Sequence, residues 1–187
     1  MIFILKGLSV GSPFLFLIPM KTHIRLQQAE LELLNKWTGT SLSGISADIL
    51  NTEFDTQLFY FSDSIFIHGE VQTLKMTLAP SSSDILPVAG QLGLCSEDAP
   101  IGPSGIQLPN WFIVKKTEVW AEKISNQTNV ETMDTVCENT ILIESESGRL
   151  LLLTPSHPED VFCLMTDDFE IEKLLESDRF VLKHVFN

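Results

Sequence analysis

Basic residues are scarce in this 187-residue chain: 12 lysines and arginines stand against 25 aspartates and glutamates, a formal net charge of −13. Nucleic-acid binders use clustered cations to displace phosphate counterions, and the largest cluster here is Lys115-Lys116. Nucleic acid is therefore excluded as an expected partner, and an anionic membrane surface is disfavoured for the same reason. A long unbroken apolar run is also missing. A spanning helix needs ~20 apolar residues, whereas the apolar stretch 1–19 is interrupted by Lys6, Pro13 and Pro19. Residues 17–25 lack the pair of small residues that marks a signal-peptide cut. Met20-Lys21-Thr22 reads as an ordinary start, with residues 1–19 a dispensable or misassigned extension and the chain cytoplasmic; a weak export signal and a packed strand are the alternatives for 1–19.

Cysteine and histidine are equally sparse. Cys95, Cys137 and Cys163 form no C-x-x-C pair and lie too far apart for zinc. Cys163 sits inside the apolar run Val161–Met165, where a free thiol behaves as a small hydrophobe. Reduced, buried thiols are the expectation. Of the histidines His23, His68, His157 and His184, no two lie within ten positions. The spacings of zinc proteases, nucleophile elbows, phosphate-binding loops, dinucleotide folds and calcium loops are all absent. The chain thus reads as non-enzymatic, with no cofactor implied. One cluster, His157-Pro158-Glu159-Asp160, has the donors of a hard divalent-ion site, with Asp167 and Asp168 one strand further on. An exposed turn leading into a strand accounts for the same residues.

What is present builds a core. An apolar fraction of 44% and this length suffice for one domain without a metal or disulfide staple. His23 to Trp37 has the i, i+3, i+4 apolar spacing of an amphipathic helix, with Thr22 as its cap and Gly39 beyond its end. Short β patterns follow at 41–49 and 71–78, while Leu58–Phe61 and Ile65–Ile67 flank a Ser-Asp-Ser turn. Runs that are apolar on both sides imply strands covered on both faces, by helices or by a second sheet. Residues 80–110 hold five of the nine prolines and four of the ten glycines and read as irregular chain lying against the body.

Beyond them, 111–124 reads as one or two strands, and Ile141–Ile143 with Leu150–Leu153 as a hairpin turning at Gly148. Val161–Thr166 reads as a strand. Asp167, with Glu170 three residues on, opens a helix with Phe169, Leu174 and Leu175 on its core side. Phe180–Phe186 alternates as a last strand. The expected fold is α+β, mostly antiparallel sheets from hairpins with one N-terminal amphipathic helix and one short C-terminal helix. Residues 20–187 form a single domain with halves at about 20–79 and 111–187. The likeness of residues 55–64 to 138–147 suggests pseudo-two-fold halves.

The acidity is uneven: residues 128–187 carry 13 acidic side chains against four basic ones. Asp63, Glu144, Glu146, Glu159, Asp160, Asp167 and Asp168 fall at expected turns or a helix start, where they would form one acidic binding face, with Trp111 and Trp120 as candidate anchors. A summed negative field speeds encounter with a basic protein. In general character (small, acidic, aromatic-rich, motif-free) the chain resembles bacterial immunity proteins that neutralise basic toxins. That resemblance is one of composition and covers no motif. It implies a non-enzymatic module capturing a basic protein partner; the alternatives are a metal-assisted hydrolase using His157, Glu159 and Asp160, or a structural assembly subunit.

Overall fold

Strands with apolar side chains on both faces must be covered on both, and two stacked sheets with two short helices supply the cover. The computed structural model describes residues 20–47, 51–54, 57–61, 64–70, 72–79, 91–96, 105–108, 112–127, 132–154 and 161–187. In chain order the elements are β1 (Met20–Ile24), α1 (Gln28–Asn35), β2 (Leu42–Ala47), β3 (Asn51–Phe54), β4 (Gln57–Phe61), β5 (Ser64–Gly69), β6 (Thr73–Ala79), β7 (Gln91–Ser96), β8 (Ile106–Gln107), β9 (Val114–Gln127), β10 (Thr132–Ser145), β11 (Gly148–Leu153), β12 (Val161–Met165), α2 (Asp168–Leu175) and β13 (Phe180–Phe186). Among the described residues, one sheet runs β13-β9-β10-β11-β12-β4-β3, with β1 added beside β10. The other runs β7-β6-β5-β2-β8. All pairings are antiparallel except β1 with β10. The α+β class, mostly antiparallel with one helix near each end, is as the sequence leads one to expect.

Alternation along the strands sorts the core into two layers. Ile141, Ile143, Leu152, Phe162 and Leu164 of the larger sheet share one cluster with Ile45, Ile65, Ile67, Leu74 and Met76 of the smaller one. The sheets therefore stack face to face. The intervening positions Leu142, Leu151, Cys163 and Met165 lie on the outer face of the larger sheet, under Ile171 and Leu175 of α2. Helix α1 seals the sandwich with Leu34 and, just beyond its end, Trp37. Its Glu30 carboxylate accepts the Gln27 N–H at 2.6 Å and the Leu94 N–H of β7 at 2.9 Å.

Several local expectations need correction. The helix does not begin at His23: Met20–Ile24 is a strand in register with Met133–Cys137. The reason lies in β10, whose 14 residues have β9 along one side while β11 covers only Thr140–Ser145 on the other. The uncovered edge at 133–137 offers backbone partners, and β1 takes them. Leu58–Phe61 and Ile65–Ile67 do not form a hairpin. Strand β4 pairs with β3 and β12, whereas β5 pairs with β2 and β6, so the chain changes sheet between them. Residues 80–110 are not irregular throughout, because β7 and β8 lie there. Residues 1–19, Asp63, Trp111, His157, Glu159 and Asp160 lie outside the described residues.

Cys95 departs from the expectation of buried thiols, being exposed, whereas Cys137 and Cys163 are buried. Burial, with Glu122 and Glu138 nearby, pushes the Cys137 thiol up to about 12, and burial alone raises Cys163 to about 12. Only a thiolate attacks an alkylating reagent. Native protein at pH 8 is expected to take up one equivalent of iodoacetamide, at Cys95, and three once denatured, as read by intact mass.

Candidate functional site

Of the expected acidic positions, Glu144, Glu146, Asp167 and Asp168 lie among the described residues. The β10–β11 hairpin turns through Glu146 and Ser147, closing at the Ser145–Gly148 pair, with Gly148 at φ +141°. Arg149, opposite Glu144 in the ladder, reaches α2 and donates to Asp168 at 2.9 Å and Glu172 at 3.1 Å. Hairpin and helix are thereby joined through Arg149, with Glu144 across the ladder from it. Asp167 is occupied otherwise, accepting the Glu170 N–H at 3.0 Å as the helix cap. Glu144 holds Lys116 at 3.1 Å, and Glu146 holds Lys115 at 2.8 Å. Hydrogen bonding to Lys115 lowers the Glu146 carboxyl below its ordinary value, and the hydrogen bond that Lys116 donates to Glu118 chiefly raises the lysine.

Two aromatics differ from expectation. Phe169, expected on the core side of α2, is 71% exposed, while Ile171 is fully buried. Phe169 therefore lies on the outer surface of α2, where Glu172 and Lys173 follow it at i+3 and i+4. Trp120 is half-buried against the α2 layer, and its indole N–H donates to Glu118 at 2.8 Å, so it is a packing residue.

A second constellation has no counterpart in the sequence reading. Strand β9 is flanked by two bulges beside one residue row, in which Trp120 pairs with Thr140 on one side and Leu182 on the other. The β10 register shifts between Glu138 and Thr140, and the β13 register between Leu182 and His184. A bulge inserts one extra residue and re-aims the side chains beyond it. Strict alternation would put Glu138 with Thr140 and His184 with Leu182. Instead Glu138 pairs with Ala121 and His184 with Val119, two positions on one face of β9. The clean alternation expected for Phe180–Phe186 is thus broken at Lys183.

The re-aimed groups meet. Glu138 is 5% exposed; its Oε2 accepts the Leu26 N–H at 3.0 Å and its Oε1 lies 3.6 Å from His184 Nε2. The His184 ring stacks on Phe186 at 6.4 Å between centroids. They border a pocket of about 350 Å³ that is also lined by His23, Arg25, Gln28 and Lys183. Glu138 is mid-strand and buried.

Other buried polar groups are structural. Glu122 is held by Arg179 and by Asn139 Nδ2 at 2.9 Å. Ser46 Oγ meets His68 Nε2 at 2.7 Å, and burial lowers the His68 pKa. No carboxylate backs that ring among the described residues, so the pair lacks the third member of a nucleophilic triad. Cys163 bonds Gln57 at 3.5 Å beneath α2, on the sheet face opposite His184, so the two form no nucleophile–base pair. No group of three or more His, Cys, Asp or Glu able to hold a metal occurs among the described residues, and none of the described helices is long and apolar enough to cross a membrane. Comparison with family models, with curated proteins and with solved structures gives no match, so any reading of function rests on the chain's own geometry.

Proposed function

We propose that this protein is a non-enzymatic, cytoplasmic binding module that captures a basic protein partner through the surface formed by the β10–β11 hairpin and α2. The observation carrying this reading is Phe169, 71% exposed, on a helix that also bears Asp168, Glu170 and Glu172. An aromatic anchor with a charged rim is the usual make-up of an interface hot spot. The rim carboxylates are already bound to Lys115, Lys116 and Arg149. Exposed pairs of this kind are worth only ~0–1 kcal/mol each, so arginines of a partner can share these carboxylates at small cost. The net charge of −13 adds long-range attraction that raises the association rate. Free thiols, as in all three cysteines, are typical of a reducing compartment.

Titration with an arginine-rich peptide carrying one aromatic residue tests the reading. Binding is expected to weaken about tenfold, or ~1.4 kcal/mol, in each of Phe169→Ala and Asp168→Lys, and to fall as salt rises. Equal affinity for both variants and wild type would show attraction by net charge alone and defeat the assignment to this surface.

A further inference from the structure

The bulge pocket carries an inference independent of the acidic surface. Among the lysines and arginines whose side chains are described, most hold a carboxylate, a carbonyl or an aromatic face. Arg25, Lys36 and Lys183 have no such partner within the described residues. Two of the three, Arg25 and Lys183, line the one pocket into which both bulges aim their side chains. In a chain with 25 acidic residues, leaving two cations unpaired around one concavity is not what electrostatics alone would arrange.

The carboxylate in this pocket does not compete for them. Glu138 gives one oxygen to the Leu26 amide and turns the other toward His184. Gln28, in the first turn of α1, borders the same space. Ile24, Leu31 and Val136 provide an apolar wall, and a volume of about 350 Å³ lies within the usual range for small-molecule sites, roughly 300–1,000 Å³.

We infer that this pocket binds a small metabolite through an oxyanion, a phosphate or a carboxylate, held between Arg25 and Lys183 with the imidazoles of His23 and His184 beside it. The apolar wall takes the body of the ligand. Neither cation is needed for folding, because both side chains are exposed at the pocket mouth.

Inorganic phosphate and citrate, titrated separately at constant ionic strength into full-length protein, distinguish the two headgroups. Histidine ring C–H resonances report the site. One or both probes are expected to shift His23 and His184 saturably, leaving His68 unmoved. Arg25→Glu and Lys183→Glu should each weaken that response about tenfold or more, with unchanged thermal melting in the absence of probe. Lys36→Glu makes the same charge change away from the pocket and should leave the response intact. No saturable shift with either probe, or equal weakening by Lys36→Glu, would overturn the inference.

Discussion

Phe162→Ala is expected to destabilise the protein by about 3–5 kcal/mol, the range for truncating a fully buried aromatic. Phe162 is fully buried. It sits on β12, whose neighbours are β11 and β4, and its ring enters the layer between the two sheets. Neighbouring strands fix the backbone on both sides, so the surroundings cannot collapse onto the vacated volume, and the cavity adds to the lost transfer energy. Phe169→Ala, seven residues later, is the matching control and should fall within about 0.5 kcal/mol of wild type. Urea unfolding with an unchanged m-value for both variants would confirm that only stability has moved. A loss at Phe162 no larger than at Phe169 would place Phe162 outside the interior.

That contrast shows how far the sequence could be read. Local chemistry was legible wherever it acts over a few residues. The Asp167 cap with Glu170, the Gly148 turn and the buried run of β12 all follow from short-range rules. Two-sided apolar strands imply cover on both faces, by helices or by a second sheet. Illegible were features whose cause is distant in sequence. A Ser-Asp-Ser link looks the same whether it closes a hairpin or carries the chain from one sheet to the other. Met20–Ile24 became a strand because β10 offers an open edge more than a hundred residues later in the chain. On α2, the spacing allowed Phe169 or Ile171 to face inward, and the rotational setting of the helix over Leu142 and Met165 decided it. Two bulges leave no compositional trace, so nothing in the sequence marks the approach of Glu138 to His184. The cations of the pocket were equally hidden, since Arg25 and Lys183 are far apart in sequence and meet only through β1, β10 and β13.

Asn139→Ala is expected to cost about 3 kcal/mol, and to loosen the pocket as well. Asn139 is the extra residue of the β10 bulge and is fully buried. Its amide donates to Glu122 Oε2 at 2.9 Å and to the Thr154 carbonyl at 3.1 Å, and its carbonyl accepts from Thr140 Oγ1 at 3.1 Å. Removing it strands a buried carboxylate oxygen, and each orphaned buried partner costs roughly 1–3 kcal/mol. Arg179 still holds the other Glu122 oxygen, which keeps the loss below the sum for every partner. Asn139→Asp separates charge from shape: it keeps the outline of the side chain but sets a second carboxylate against Glu122. Its destabilisation should be greatest near neutral pH and should shrink as the pH falls and one of the two carboxyls takes up the shared proton. The bulge is also what turns Glu138 toward Leu26 and His184. Hydrogen exchange at the Leu26 amide, which donates to Glu138 Oε2 at 3.0 Å, should therefore speed up in both variants by more than at amides of the smaller sheet. A uniform acceleration across both sheets would mean that Asn139 stabilises the fold without setting the aim of Glu138.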